Sequence, residues 1–369
     1  MISFELSEEQ QMIRDSVGAF ARDEVRPAAR PTDEQGVIPQ ALVAKACELG
    51  LVRSAIPEQF GGDGDARSAV TGAVIAEELA YGDLSIAIAV LAPRLFAFPL
   101  IEMGTADQQK RYLPRLSKSE FVAATAAVME PKFDFDLNAL ASVGQARNGG
   151  FVLDGAKCFV PLAKEAEALL VFAASNPGAG LAGVDGFIIE RGASGLAIGE
   201  PEKNMGLKGV ATYELALKGC HLGPEARLGG EHGCNFTRLT SQWRVALAAM
   251  AVGVARASFD YARDYAKERK AFGVPIATKQ AIAFMLADMA IEIDASRLLV
   301  WEAAWHLDKG EDGLQESYLA KNYAAAAALK IADNAVQVLG GHGYIREHPV
   351  EMWLRNARGF ATLDGLATV

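Results

Sequence analysis

Histidine, cysteine and runs of basic residues are all scarce in this chain of 369 residues. It has five histidines and four cysteines. Cys47, Cys158, Cys220 and Cys234 form no Cys-x-x-Cys pair and lie at no metal-ligand spacing from a histidine, so no metal site is expected. The cysteines read as reduced, buried thiols of a cytoplasmic protein. No Lys/Arg cluster interrupts a chain of formal charge −10, which argues against a nucleic-acid partner, because phosphate binding relies on a basic face. An anionic ligand would need local basic groups. The first residues have neither the basic nor the apolar segment of a secretion signal, and no apolar run reads as long enough to cross a bilayer, so no membrane contact is expected. No Gly-x-Gly-x-x-Gly follows a strand, which weighs against a nicotinamide-dinucleotide enzyme of the doubly wound kind.

What is present is apolar: 51% hydrophobic against 22% charged, enough for a large core divided over two or three domains. Residues 1–120 read as helices, with Ser7 capping a first turn that holds Glu8, Glu9 and Gln10. Turn residues gather at 27–39, 57–64 and 104–105. Between 121 and 228 the period changes. Tyr213, Leu215 and Leu217 alternate with Glu214 and Lys218, the pattern of a half-buried strand, and the short apolar runs 169–172 and 186–190 predict two more. From 229 to 369 the helical period returns, with Ile282, Met285, Met289 and Ile293 on one face as core rather than cofactor contacts. The small side chains of 246–257 and 324–328 let helices approach closely. Strands bracketed by helices, without β-α-β alternation, predict an α+β fold.

The C-terminal third carries the most specific signals. Glu-Arg-Lys-Ala-Phe-Gly at 268–273 is followed by Gln337-Val-Leu-Gly-Gly-His-Gly-Tyr344 and by His348-Pro-Val-Glu-Met-Trp-Leu-Arg-Asn-Ala-Arg358, before a lone carboxylate at Asp364. With Glu77-Glu-Leu79, Glu130-Pro131, Asp154-Gly155-Ala-Lys157 and Asn204-Met-Gly206 in order, nearly the whole chain resembles the flavin-dependent acyl-CoA dehydrogenases. The resemblance implies an N-terminal helical domain, a β-barrel-like middle domain and a C-terminal four-helix bundle. It further implies FAD, an acyl-CoA substrate, an electron-transfer flavoprotein or similar acceptor, and a homo-oligomer, dimer or tetramer.

The reaction so implied removes an α-proton with a carboxylate while the β-carbon gives hydride to flavin. The thioester oxygen needs hydrogen-bond donors as charge develops there, one of them the backbone N–H of the catalytic residue. The family's Glu is replaced by Asp364, in Thr362-Leu-Asp364-Gly-Leu366; a turn residue before Gly365 is the other reading. The site that carries the base in some other members is Trp243 here. Two threonines that would hold the flavin ring are missing, leaving Val128 and Met129 backbone, Phe159 stacking and Pro161, which has no N–H. Arg269, Phe272, Gln280, Gln337, Gly340 and Gly341 match the grip on the ADP part of a neighbouring subunit's FAD. A helix-end cation and a helix C-cap are the alternative readings of Arg269 and of the two glycines. Arg244, Ser241, Phe135 and Gly365 fall at substrate-binding positions, although Arg244 also reads as a helix cation extending to solvent and Phe135 could block the pocket. His342 reads as a loop histidine bonded to backbone. Two other functions stay open: a half-site subunit of a heteromeric dehydrogenase, and a flavoenzyme similar to nitroalkane oxidase, with an aspartate base.

Overall fold

The computed structural model describes residues 4–369. Seven helices come first: α1 (Glu8–Phe20), α2 (Arg26–Gln35), α3 (Gln40–Glu48), α4 (Ala69–Gly82), α5 (Leu84–Leu91), α6 (Arg94–Met103) and α7 (Ala106–Leu116). Ser7 caps α1 as expected: its hydroxyl accepts from Gln10 N–H while the Gln10 side chain accepts from Ser7 N–H, so two orphan donors are satisfied reciprocally. One turn of π-helix, Ala21–Val25, joins α1 to α2.

The middle of the chain is a seven-stranded sheet of β1 (Ala124–Ala127), β2 (Val143–Arg147), β3 (Gly150–Pro161), β4 (Ala168–Ala174), β5 (Val184–Glu190), β6 (Leu196–Pro201) and β7 (Thr212–Leu222). Neighbours run β1-β4-β2-β3-β7-β6, with β5 on the other edge of β4. On β7, Tyr213, Leu215 and Leu217 are buried and Glu214 and Lys218 exposed, so the alternation in the sequence is the alternation of the pleat.

The end of β1 is fixed by a buried ion pair. Lys157 on β3, 0% exposed, gives its ammonium to Glu130 at 3.0 Å and to the Val128 carbonyl at 3.0 Å. Glu130, 3% exposed, also accepts from Ala141 N–H at 2.7 Å and Ser142 N–H at 2.8 Å. A charge this deep is tolerated because its lone pairs are filled.

The C-terminal helices are α8 (Phe236–Glu268), α9 (Gln280–Asp308), α10 (Leu314–Leu339), the single turn α11 (Gly341–Tyr344) and α12 (Val350–Ala357). A two-residue hairpin of β8 (Lys270–Ala271) and β9 (Val274–Pro275) separates α8 from α9. Contrary to the reading of the sequence, α8 is long and apolar enough to span a bilayer by length and composition. Its apolar surface is used inside the protein: 78% of the qualifying window is buried, because α8 runs between α4 and α10. A Cβ on Gly253 would lie 2.3 Å from the Glu77 carbonyl, so that crossing requires glycine. The adjacent Glu77 and Glu78 of α4 receive Arg256 of α8 at 2.7 and 2.5 Å, and Glu77 also receives Arg297 of α9 at 2.9 Å.

Candidate functional site

Asp364 lies in a turn after α12. Gly365, at φ +66°, takes the left-handed conformation and presses on β1, where a Cβ would stand 2.5 Å from Val128 Cγ2. Only glycine fits both constraints. The turn brings Asp364 against the end of β1, and the Asp364 N–H points at Met129 Sδ at 3.2 Å. Thioether sulfur is a weak acceptor, but it takes the donor that the sequence assigned to a thioester oxygen.

The unexpected partner is Lys321 of α10. Its ammonium sits 2.8 Å from Asp364 Oδ1, with the two side chains 9% and 16% exposed. Arg244 of α8 also feels the Asp364 charge; burial lowers its pKa and Asp364, then Tyr318 and Asp136, raise it. Arg244 stacks over the Tyr318 ring at 5.3 Å, and both line an open cavity of about 590 Å³ together with Asn138. The structure therefore pairs Asp364 with Lys321 and leaves Arg244 within reach of the Asp364 charge. The sequence held a signal for it: Lys321 falls on the buried stripe of α10 with Ser317, Ala324 and Ala328, where a lysine is out of place.

Other expected contacts are taken up by the protein itself. Ser241 is fully buried and its hydroxyl donates to the Thr237 carbonyl at 3.2 Å, one turn back in α8, so it offers no group to a ligand. Pro161 is buried in the β3–β7 ladder opposite Thr212. Val128 and Met129 are buried, and their carbonyls accept from Lys157 Nζ and Cys158 N–H. Phe159 is half-buried at φ +53°, with its N–H held by the Glu202 carboxylate at 3.1 and 3.3 Å. Phe135 is partly buried between two clusters of the core. Cys158 and Cys220 are buried as expected, but Cys47 and Cys234 are only half-buried; all four are unbridged.

The opposite corner is open. Arg269 caps α8 and is exposed, and its guanidinium has no acidic partner among the described residues. Phe272 at the hairpin tip is 96% exposed at φ +56°. Gln280 and Gln337 are exposed, and added Cβ atoms on Gly340 and Gly341 would meet nothing within 4 Å. Gly340, at φ +59°, closes α10, so it is both a helix cap and an open backbone surface. The two segments meet through Tyr265, whose carbonyl accepts from Arg269 N–H and whose hydroxyl contacts His342 Nδ1 at 2.7 Å. His342 is thus bonded to a side chain, not to backbone.

Helices on both sides of a curled sheet, with a carboxylate turn between the last helix and β1, define a three-part α+β enzyme scaffold. Family models describe the same division: the acyl-CoA dehydrogenase N-terminal domain matches residues 7–120, the middle domain 125–220 and the C-terminal domain 236–369. The chain belongs to the acyl-CoA dehydrogenase family, oxidoreductases that act on a CH–CH group. It is 35% identical to an acyl-CoA dehydrogenase of Bacillus subtilis (strain 168), over 98% of this chain and 95% of that one. The butyryl-CoA dehydrogenase structure from Megasphaera elsdenii superposes with a TM-score of 0.88 at 29% identity, covering 100% of this chain and 96% of that one. The FAD complex of PigA superposes equally well, with a TM-score of 0.88 at 26% identity over 97% of this chain and 94% of that one.

Proposed function

We propose that the protein is an FAD-dependent dehydrogenase of acyl-CoA thioesters in which Asp364 takes the α-proton. The observation that carries this reading is the placement of Asp364 against the end of β1, with its charge acting on Arg244 of α8, which lines the open cavity. Arg244 supplies a cation for an anionic ligand at the wall of that cavity next to Tyr318, away from the Glu311, Asp312 and Glu316 carboxylates that a ligand there would have to avoid. Bound FAD supplies the acceptor for the β-hydride. Its ADP part fits the exposed corner, where Arg269, without an acidic partner among the described residues, faces a pyrophosphate and Gly340 and Gly341 let the ligand approach the backbone.

The carboxylate is not free in the structure described. An ammonium at 2.8 Å occupies one oxygen, Oδ1, so a proton taken on that oxygen requires the Lys321–Asp364 contact to open. Arrival of the acyl group between α10 and β1 is the event we assign to that opening. A second reading is supported by the same contact: a chain that lends its ADP grip to FAD held by a related subunit can leave its own Asp364 paired.

The assembly we propose is a homo-oligomer. Phe284, Ile291 and Leu298 recur every seventh residue along α9 and are exposed, as are Leu319 and Tyr323 on α10, which supports burial of this face against another chain. The electron acceptor is an electron-transfer flavoprotein or similar protein. The four unbridged thiols support a reducing, cytoplasmic setting.

The test is flavin content of the purified chain and bleaching of the bound flavin by acyl-CoA. One FAD per chain with bleaching lost in Asp364→Asn upholds the dehydrogenase. A colourless chain that does not take up FAD upholds the half-site subunit, and bleaching by nitroalkanes but not by acyl-CoA would move the activity to the oxidase type.

A further inference from the structure

A second cavity, of about 330 Å³, lies in the N-terminal helical part, between α1, the segment before α4, and the helices α4 and α6. Its wall includes Arg67, Arg94, Thr71, Ile75, Phe98 and Val369. Arg94 is 3% exposed, at the start of α6, and its Nε donates to the Leu51 carbonyl at 2.6 Å. Among the described residues no carboxylate pairs with it, and the charge nearest to it is another cation, Arg67. Burial pushes the Arg94 guanidinium down to about 9, and Arg67 adds to the effect, so it remains charged at neutral pH.

Arg67 is itself half spent. It pairs with Glu102 at 3.0 Å and donates to the Val369 main-chain oxygen at 2.6 Å, while its Nε is buried without a partner. Both guanidinium groups lie against the Phe98 ring, at 4.0 Å for Arg67 and 5.2 Å for Arg94. The acidic residues that line the cavity, Glu9 and Asp65, are exposed at its mouth. Arg67 is offset by Glu102 and by the charge of Asp308, but Arg94 has no such partner among the described residues, and a buried cation without a counter-ion is unfavourable in a low dielectric unless an anion enters.

We infer that this cavity is a binding site for a short aliphatic carboxylate, its head group on Arg94 beside Arg67 and its chain along Ile75 and Phe98. The mixture of one cationic end with an apolar wall suits an alkyl carboxylate better than an inorganic anion, which would leave the Ile75 and Phe98 surfaces uncovered. The same carboxylate chemistry could come from a free acid or from the far end of an acyl thioester. The segment from Asp364 to Val369 runs from the candidate base to this cavity and is buried from Gly365 onward, so the two sites are neighbours along the chain.

Calorimetric titration of the whole chain with butyrate, butyramide and inorganic phosphate, and with adipyl-CoA against hexanoyl-CoA, tests the site. Arg94→Met should weaken butyrate, or adipyl-CoA, at least about tenfold and leave hexanoyl-CoA unchanged. Loss for butyrate assigns a free acid; loss for adipyl-CoA alone assigns the end of a thioester. Arg94→Lys, which keeps the cation, should recover part of the affinity and covers the case in which the methionine variant fails to fold. Butyramide or phosphate binding as tightly as butyrate, or equal affinities in wild type and both variants, would overturn the inference.

Discussion

The two halves of the expected cofactor site are built in opposite ways. At the Arg269 hairpin and the Gly340–Gly341 turn, side chains stand exposed and no side chain covers the two glycines, although the Arg269 and Gly340 N–H groups are held within the chain. Around Asp364, several polar groups already have a partner: Lys321 on one carboxylate oxygen, Met129 on the N–H, Glu202 on the Phe159 N–H, Lys157 on the Val128 carbonyl. The open half lies where another chain or cofactor is needed to complete a surface. The closed half lies at the meeting of β1, α8 and α10, where a buried polar group without a partner costs about 1–3 kcal/mol, so internal partners are used whenever a ligand does not supply them. Opening the closed half is therefore a competition between ligand and internal partners.

The largest effect expected on that contrast comes from removing Asp364. Asp364→Asn should slow flavin bleaching by acyl-CoA by about 100-fold or more, read by stopped-flow absorbance, with the chain still folded but its melting temperature lowered by loss of the Lys321 ion pair. Turnover at the wild-type rate would take Asp364 out of the chemistry.

Glu130→Ala should cost about 3–5 kcal/mol of stability, since it strands the Lys157 ammonium inside the sheet. Chemical denaturation measures this. For Glu130→Gln the cost should depend on pH. Burial alone would raise the Glu130 pKa, but Lys157 and the N–H groups of Ser142 and Ala141 outweigh it and hold it below the usual 4.5. A depressed folded value means that the stabilisation is complete above about pH 4.5 and fades as pH falls through the folded value, so the gap between wild type and Glu130→Gln should narrow in acid. A gap constant from pH 7 to pH 3 would show that the pair contributes no such charge-dependent stability.

Lys321→Met should raise the bleaching rate, roughly tenfold for each 1.4 kcal/mol of ion-pair energy that no longer restrains Asp364. A fall in rate with FAD retained would show instead that Lys321 assists the reaction. The smallest effect belongs to the open half: Arg269→Ala should weaken FAD about tenfold, seen as a lower flavin-to-protein ratio after dialysis, because one exposed charge-assisted contact is lost. Full retention of FAD would remove Arg269 from the grip.

Local elements were legible because short-range physics decides them. The Ser7–Gln10 box, the alternation on β7 and the apolar stripe of α9, with Met289 and Ile293 buried, all follow from neighbours within a few residues. Partners far apart in the chain were not. Glu130 and Lys157 are 27 residues apart, and Lys321 and Asp364 are 43 apart; each member was visible but not the pairing. The bond of Ser241 to its own helix was not legible because a serine that bonds its own helix and one that faces a ligand have the same sequence. The apolar length of α8 was missed because Arg244 and Arg256 break the run in the sequence. In the fold, Arg256 reaches the two glutamates of α4 and Arg244 reaches the cavity, so neither interrupts its burial.

The sequence by itself determined the three-part architecture and the family and marked out the exposed Arg269 and Gly340–Gly341 segments, since periodicity, caps and glycine-bearing turns act locally and keep their spacing. Only the tertiary structure decided that Asp364 rests against Lys321, that its N–H points at sulfur, and that Arg94 lies buried with no carboxylate partner among the described residues. Each of these depends on which charges meet across α6, α10 and β1 in a low-dielectric interior, and distance in the folded chain, not separation along it, sets the strength of such contacts.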